Sequence, residues 1–105
     1  MSKNTNRRSR WEISYDILEA TAEEEKAHGG KAKKTRIMQA AHLDWRNFKR
    51  YFDFLLEHGF IASSERGDYY YLTGKGIHLR EQLRELSELL EQPKSVSQNL
   101  FPEQL

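Results

Sequence analysis

Apolar residues recur at helical spacing in four stretches of the chain, and a short alternating stretch separates the third from the fourth. In the first stretch the intervals are three and four residues, which is typical of a helix with one buried face. The predicted buried face comprises Trp11, Tyr15, Leu18 and Ala22, widened by Ile17 and Thr21. Ser9 and Glu12 have the spacing of a capping box, and Gly29-Gly30 is a stop signal. We therefore predict a first helix that begins at Ser9 and ends before Gly29.

The segment between these glycines and Asp44 predicts an extended piece, a short helix and a turn. Lys31–Lys34 is short and polar, and we interpret it as an extended segment at the edge of a sheet. Thr35 is a residue type that caps helices, so it is predicted to cap the second helix. The buried side of that helix comprises Ile37, Met38 and Ala41, and His42-Leu43 forms the turn that follows.

The third helix, over about residues 44–58, has the clearest amphipathic pattern in the chain. At 100° per residue, one arc contains Phe48, Phe52, Leu55 and Leu56, with Tyr51 at its edge. The opposite side contains Arg46, Lys49, Arg50, Asp53 and Glu57. Asp44 is a favourable N-cap residue, and Gly59 is predicted to end the helix in the left-handed conformation. Phe54 lies apart from the main arc, so we expect a second element to cover it.

Two short strands and a fourth helix follow. Phe60–Ser63 and Tyr69–Thr73 are predicted to pair, with Tyr70 and Leu72 on one face. The loop between them, Ser64–Asp68, contains Gly67, which supplies a positive φ. The order helix, helix, helix, hairpin, helix predicts a mainly α fold with one small β-hairpin.

The fourth helix is predicted to end near Gln92, because Pro93 is a stop signal. Its leucines, at intervals of four, three and four, form a coiled-coil seam: Leu79, Leu83, Leu86 and Leu90. Packing onto the domain would cover Ile77 and Leu79 only. Dimerisation would also cover the other three leucines, and we favour it because their exposure would leave an unusual apolar patch.

The predicted organisation has four parts: a flexible basic arm (1–8), a compact domain (9–73), the coiled-coil helix (74–92) and a flexible tail (93–105). Residues 1–50 contain 12 Lys/Arg and 7 Asp/Glu, a net charge of +5, and residues 51–105 contain 5 and 9, a net charge of −4. This asymmetry is compatible with binding of a polyanion at one end of the molecule. A net charge of +5 on half of the chain is, however, also ordinary for a soluble protein.

Composition argues against several classes of protein. The chain has no cysteine, which excludes disulfides and cysteine-ligated zinc, and no apolar run approaches a membrane span. Its four histidines (28, 42, 58 and 78) match no helical ligand pair, so we expect neither a metal nor another cofactor. No nucleophile–base pair and no phosphate-binding loop is evident. We predict a non-enzymatic, cytoplasmic protein.

The start of the third helix carries the chemistry of greatest interest. Arg46, Asn47, Lys49 and Arg50 present cationic and amide donors within about one and a half turns. Arginine can pair with guanine and asparagine with adenine at base edges, whereas flanking cations more often contact phosphates. The alternative is a solvated helix face, and the helix order and hairpin favour DNA contact over it. For Trp45, packing at the edge of the core is favoured over a DNA contact.

Other candidates lie outside this helix, and their interpretation stays open. Arg7, Arg8 and Arg10 could reach a minor groove or belong to a solubilising tail. The densest cationic cluster, which comprises Lys31, Lys33, Lys34 and Arg36, suits either phosphates or a solvated loop. For Tyr69 and Tyr71 an ordinary sheet surface is favoured over base stacking.

The chain resembles small, roughly ten-kilodalton archaeal winged helix-turn-helix DNA-binding proteins that dimerise through a C-terminal coiled-coil helix. The resemblance covers about residues 9–92. It rests on Lys34–Met38, Leu43, Trp45, Arg50–Phe52, Leu55–Ile61, Tyr70–Thr73 and Lys75-Gly76. It implies a three-helix domain with a hairpin wing, a homodimer, and a recognition helix (about 44–58) in the major groove of duplex DNA.

The resemblance also implies positions for the contacts with DNA. Thr35 and Arg36 would start the second helix near phosphates, Trp45, Arg46, Lys49 and Arg50 would lie on the recognition helix, and Arg66 would lie in the wing. We add Lys34 and Asn47 to the predicted DNA-binding residues, because they belong to the same two helix starts. The implied function is a transcriptional regulator or nucleoid-associated protein. The alternative is a winged helix that binds another protein, with the acidic fourth helix as its docking surface.

Overall fold

The structure, a computed structural model, describes residues 8–90, which form four helices and a two-stranded hairpin. In chain order these are α1 (Arg10–Ala27), α2 (Lys34–Ala40), α3 (Trp45–Glu57), β1 (Ile61–Ser63), β2 (Tyr70–Leu72) and α4 (Gly74–Leu90). The predicted fold class and order of elements are confirmed. Residues 1–7 of the predicted arm, the last two residues of the predicted fourth helix and the predicted tail (93–105) lie outside the described residues. Between residues 8 and 90, no helix is both long and apolar enough to cross a membrane.

One core joins α1, α2, α3 and the hairpin. Its buried hydrophobic residues are Ile13, Ile17, Leu18, Ala20, Ala32, Ile37, Ala41, Phe48, Phe52, Leu55, Ile61 and Leu72. The ring of Phe52 stacks on that of Phe48 with centroids 4.8 Å apart, and it meets Tyr70 edge-on at 5.0 Å. Phe52 therefore connects the third helix to the second strand. Of the predicted apolar arc of α3, Phe48, Phe52 and Leu55 are buried.

The buried face of α1 is wider than the predicted stripe. Ile13 and Ala20 are buried together with Ile17, Leu18 and Thr21, whereas Trp11 and Tyr15 are half-buried. The physical reason is that α1 packs against α2 and α3 and also against α4, so no single stripe describes it. The hydroxyl of Thr21 donates a hydrogen bond to the carbonyl of Ile17 (2.8 Å), which satisfies this polar group in the core.

Two of the three predicted helix starts are correct. The side chain of Ser9 accepts from the backbone of Glu12 (3.3 Å), and the carboxylate of Glu12 accepts from the backbone of Ser9 (2.8 Å). Asp44 caps α3 by accepting from the backbone N–H of Asn47 (2.8 Å). The prediction for Thr35 is wrong, because helical conformation begins one residue earlier, at Lys34. The residue before it makes no side-chain capping bond.

Arg8 is held in place, although the sequence placed it in the mobile arm. Its guanidinium donates to Oδ2 of Asp16 (2.6 Å) and to the carbonyl oxygens of Ala41 (2.9 Å) and His42 (2.7 Å). These carbonyls follow the end of α2, where a helix leaves acceptors without partners. Burial raises the pKa of Asp16 above its ordinary value, while Arg8 opposes that rise. Arg8 thus ties the start of α1 to the end of α2.

The hairpin pairs Ile61 with Leu72 and Ser63 with Tyr70 in antiparallel register. The extended segment predicted before α2 is confirmed, because the N–H of Tyr70 donates to the carbonyl of Ala32 (2.8 Å). The sequence did not indicate that the N–H of Leu72 donates to the carboxylate of Glu25 in α1 (2.8 Å). Both contacts fix the hairpin against the helices.

The two glycines predicted to adopt positive φ do so, with φ of +77° at Gly59 and at Gly67. Gly59 ends α3, and Gly67 lies in the loop of the hairpin. In that loop the side-chain oxygen of Ser64 accepts from the backbone N–H groups of Asp68 (3.2 Å) and Tyr69 (3.1 Å). These hydrogen bonds close the turn within the loop itself.

A close backbone approach joins the start of α4 to the start of β1. A Cβ atom added to Gly76 would lie 1.9 Å from the carbonyl oxygen of Phe60, so no other residue fits there without a backbone shift. The Oγ1 of Thr73 accepts from the N–H of Gly76 (3.0 Å) and donates to the carbonyl of Gly59 (2.6 Å). Lys75 donates to the carbonyl of His58 (2.7 Å) at the end of α3. We call Thr73, Lys75 and Gly76 the α4 joint.

Beyond this joint, α4 packs against α1 along its first half. Arg80 donates to Glu19 (2.8 Å), and that hydrogen bond lowers the pKa of the Glu19 carboxyl. Leu79 and Leu83 are half-buried against the core, so the first two of the four leucines of the predicted seam already have contacts within the chain. Later positions are more exposed: Leu89 is 52% and Leu90 59% exposed.

Two apolar side chains are more exposed than the sequence suggested. In the alternative that was not favoured, packing of α4 on the domain alone would have covered Ile77, but Ile77 is 48% exposed. Two residues along a helix correspond to about 200°, so Ile77 and Leu79 point in nearly opposite directions. Phe54 was expected to be covered by a second element, but it is 46% exposed and its ring contacts only that of His58 among the described aromatic pairs (4.1 Å).

Candidate functional site

The exposed face of α3 divides into a cationic half and an acidic half. Arg46, Lys49 and Arg50 are exposed in the first two turns, whereas Asp53 and Glu57 follow on the same side. Lys49 pairs with Asp53 (2.7 Å), so part of its charge is compensated within the helix. Arg46 and Arg50 form no ion pair with any residue between positions 8 and 90. The uncompensated positive charge of α3 is therefore concentrated at these two arginines.

The first turn of α3 is fixed by a tight turn and a cap. His42 has a φ of +56°, a left-handed conformation that histidine adopts more readily than most residues. Asp44 accepts from the backbone N–H of Asn47 (2.8 Å), and its other oxygen lies 3.4 Å from the side-chain amide of Asn47. Asn47 is half-buried as a residue and its amide has a long contact with Asp44, which distinguishes it from the exposed arginines.

The structure places Trp45 at the boundary between core and surface, which is compatible with the favoured interpretation of packing at the edge of the core. Its side chain is 51% exposed, and the only described ring it contacts is that of Phe48, at 6.1 Å. The ammonium of Lys34 lies 5.4 Å from the centroid of Trp45 and 5.3 Å from that of Phe52. Trp45 begins α3 with one side of its ring towards Phe48 of the core and about half of the side chain at the surface. A large aromatic surface is thus exposed beside the arginines.

The first turn of α2 lies between α3 and the hairpin. Lys34 reaches α3 through its contacts with Trp45 and Phe52, and Thr35 is exposed. Arg36 points the other way, into a shallow cavity of about 280 Å³ that it lines with His28, Lys31, Lys33 and Tyr69. Lys31 lies over the ring of Tyr69 (5.7 Å). Of the predicted site residues, Lys34 and Trp45 are therefore brought into contact.

Arg66 lies apart from this cluster, exposed in the loop of the hairpin. Sequence reasoning weighed Lys31 and Lys33 only as a charge cluster and assigned Tyr69 to a plain sheet surface. The structure places all three around one cavity with Arg36. The only signal for this grouping was the density of lysines before α2, because pairing of Ala32 with the hairpin brings Tyr69 there.

A second cavity, of about 370 Å³, lies between α1 and α3. It is lined by Arg10 and Ser14 of α1 and by Arg50, Tyr51 and Phe54 of α3. Sequence reasoning placed Arg10 in a basic arm and did not single out Ser14. Their separation of four residues puts both on one face of α1, and this was the available signal. Arg50 is thus shared by the exposed face and this cavity.

Residues 8–90, the part of the chain that the structure describes, contain no cluster of potential metal ligands. No group of three or more His, Asp or Glu side chains between residues 8 and 90 could hold a metal ion. His28 lies 3.3 Å from Glu24, His58 stacks on Phe54, and His42 occupies the turn before α3. The arrangement is one of a cationic surface with aromatic edges.

Comparison with known proteins identifies the fold family. A family model described as winged helix-turn-helix matches residues 7–91. The chain belongs to the winged helix-turn-helix family. Within it, α2 and α3 form the helix-turn-helix, the β1–β2 hairpin is the wing, and α4 is a C-terminal extension.

Similar proteins are found in archaea. An uncharacterised protein of Methanocaldococcus jannaschii is 42% identical over 92 residues, which cover 85% of this chain and 87% of that protein. A second uncharacterised protein of the same organism is 38% identical over 78 residues, covering 74% of this chain and 33% of the relative. Among solved structures, Sso10a-2, a DNA-binding protein from Sulfolobus solfataricus, is 25% identical with a TM-score of 0.65. That match covers 89% of this chain and 93% of Sso10a-2.

Proposed function

We propose that this winged helix-turn-helix protein binds duplex DNA as a homodimer and inserts the first two turns of α3 into the major groove. The observation that carries the proposal is the exposed face of α3 at Arg46 and Arg50, which lack ion-pair partners among residues 8–90. The family membership and the similarity to Sso10a-2, which is named as a DNA-binding protein, support it. The acidic second half of α3 would remain outside the groove.

In this proposal the residues of the surface have different roles. Arg46 is the best placed to read a base edge, because it is exposed near the start of α3, whereas Asn47 must first leave its contact with Asp44. Lys49 and Arg50 contact phosphates on either side. Trp45 lies flat against sugar or a thymine methyl group, and Lys34, Thr35 and Arg36 contact the backbone from α2. Arg66 makes a further backbone contact from the wing.

The proposed dimer forms through the end of α4. Of the seam residues, Leu79 and Leu83 already pack against their own domain, so Leu86 and Leu90 supply most of the new contacts, together with Leu89. A two-fold dimer would present two copies of α3 to paired half-sites. The cellular role that fits is a transcriptional regulator or a nucleoid-associated protein.

Fluorescence anisotropy with a labelled random duplex tests the DNA contact. Changing Arg46, Lys49 and Arg50 together to alanine should weaken binding by about tenfold or more and reduce the salt dependence by about 0.9 per lost phosphate contact. Arg84→Gln is the matched control, because it removes a cation that faces Tyr15 and Glu19 instead. Unchanged affinity in the triple variant would rule out α3 as the contact surface.

The same assay separates the alternative function. A winged helix that binds only another protein would give no shift of random duplex at micromolar protein and low salt. Because binding to phosphates strengthens as salt falls, low salt is the condition most favourable to detection. Selection from a random duplex library would then distinguish a regulator, which yields a palindromic motif, from an architectural protein, which yields none.

A further inference from the structure

We propose that Arg10 and Ser14 of α1, together with Arg50 of α3, form a binding site for one backbone phosphate of duplex DNA. We call these three residues the α1 clamp. The inference rests on the proposed function and adds a second element, α1, to the DNA contact. Its starting observation is the cavity of about 370 Å³ between the start of α1 and the middle of α3.

The charges around this cavity are unbalanced. Two guanidinium groups line it, and neither Arg10 nor Arg50 has an acidic partner within 4 Å among the described residues. The acidic residue nearest in sequence to Arg10 is Glu12, whose carboxylate accepts from the backbone of Ser9 (2.8 Å) and closes the capping box. The two arginines therefore share a cavity without a counter-charge, and an anion would complete the site.

The donors match a phosphate group. Guanidinium groups donate paired hydrogen bonds to phosphate oxygens, and a serine hydroxyl adds a single short donor. Arg10 and Ser14 lie one helical turn apart and so present their donors on the same face of α1. Tyr51 and Phe54 line the remainder of the cavity with aromatic surface. A phosphodiester, with a charged group joined to apolar sugar carbons, has this combination of properties.

The position of the clamp relative to α3 favours a DNA strand as the source of the phosphate. At 100° per residue, Arg46 lies near the middle of the exposed face, and Arg50 and Phe54 lie towards its α1 side. Trp45 and its partner Lys34 lie on the opposite side, towards α2. Beyond them, Arg36 lines the other cationic cavity. The face that would enter the groove therefore has cations on both sides, with the clamp towards α1 and Lys34 towards α2, so each strand bordering a major groove could meet one of them.

The test uses the full chain, random duplexes and anisotropy. Arg10→Ala should weaken binding about three- to tenfold and lower the salt slope by about 0.9, the value for one phosphate. Adding Ser14→Ala should weaken it further, and Arg10→Lys should restore part of the loss. Lys26→Ala is the control, since it removes an exposed cation from the same helix about 24 Å away, at 1.5 Å per residue.

The pattern over different sequences adds a readout that a structural role would not change. Loss of a phosphate contact should weaken all duplexes by the same factor, whereas Arg46→Ala should alter their ranking. Addition of a short duplex should shift the backbone amide resonance of Ser14, and inorganic phosphate at equal phosphate concentration should shift it far less. An equal or larger shift with inorganic phosphate would make the cavity a small-anion site and overturn the clamp.

Other outcomes separate the clamp from the proposed function. If Arg10→Ala matches Lys26→Ala while the triple α3 variant still loses binding, the clamp is wrong and DNA binding through α3 stands. If the unmodified protein binds no duplex at all, the proposed function fails and the clamp fails with it. Thermal unfolding of Arg10→Ala should match that of the unmodified protein, because Arg10 is exposed.

Discussion

The third and fourth helices are both amphipathic, but their apolar faces are buried to different extents by the rest of the domain. In α3, Phe48, Phe52 and Leu55 are fully buried within the chain. In α4, contact with the domain covers only the first part of the leucine row, and Leu90 at its end is 59% exposed. The first pattern belongs to a helix whose partner is its own domain. The second belongs to a helix whose later apolar residues are left exposed by the domain, and this difference supports our proposal that α4, and not α3, mediates dimerisation.

The largest expected effect comes from the buried face of α3. Phe52→Ala should lower the free energy of unfolding by about 3–5 kcal/mol, because a fully buried phenyl ring leaves a cavity at the junction with the hairpin. Phe54→Ala is the matched control on the same helix, since Phe54 is 46% exposed, and it should cost much less. Chemical denaturation measures both, and equal losses would contradict the assignment of the two faces.

The α4 joint provides the next effect. Gly76→Ala should destabilise the fold by about 2–3 kcal/mol, because the added methyl group meets the backbone oxygen of Phe60. Gly74→Ala places the same group where no atom lies within 4 Å, and it should leave the stability unchanged or slightly higher. Denaturation curves that rank these variants in the reverse order would show that α4 does not approach β1 so closely.

The end of α4 tests the other side of the comparison. The double substitution Leu86→Glu and Leu90→Glu should convert the proposed dimer to a monomer, as measured by sedimentation, without a large loss of helix content. Leu83 is a poorer choice, because it packs against its own core and its replacement would also unfold the domain. Ile77→Glu changes an exposed residue on the opposite side of α4 and should leave the dimer intact. A dimer that survives the double change has its interface elsewhere.

The smallest effect concerns the contact between α4 and α1. Arg80 lowers the pKa of Glu19, so the stabilisation is present above the ordinary carboxyl pKa and is lost as the pH falls through the lowered value. Glu19→Gln should therefore reduce stability by about 0.5–1 kcal/mol at neutral pH and by less in acid. The raised pKa of Asp16 acts in the opposite direction, but it is common to both proteins and cancels in their difference. A difference that does not change with pH would contradict the pairing.

The parts of the fold that depend on local rules could be predicted from sequence. Asp44 caps α3 because its side chain bonds three residues away, and Gly59 and Gly67 adopt positive φ because the turns demand it. The apolar arc of α3 follows from its period alone. Each of these predictions needs only neighbours within one or two turns.

The predictions from sequence failed for two kinds of side chain: those that bond to a distant part of the chain and those that stay exposed. Arg8 bonds to carbonyls 33 and 34 residues away, a contact that no local pattern signals. Phe54 was expected to be covered because it lies apart from the apolar arc of α3, but it is 46% exposed. For the candidate site, the cationic residues could be predicted as a set. Their division between two cavities depends on how α1 and the hairpin pack on either side of α3.

The α4 joint has a mechanical consequence for the proposed dimer. Because the backbone of Gly76 lies close to Phe60 and Lys75 donates to the carbonyl of His58, a change in the direction of α4 would have to disrupt both contacts. In each subunit the angle between α4 and its domain would then depend on residue 76 being glycine, which has no Cβ atom. Two subunits joined through the ends of α4 would hold their two copies of α3 at a fixed separation. DNA bound to both copies would have to bend or twist to match that separation.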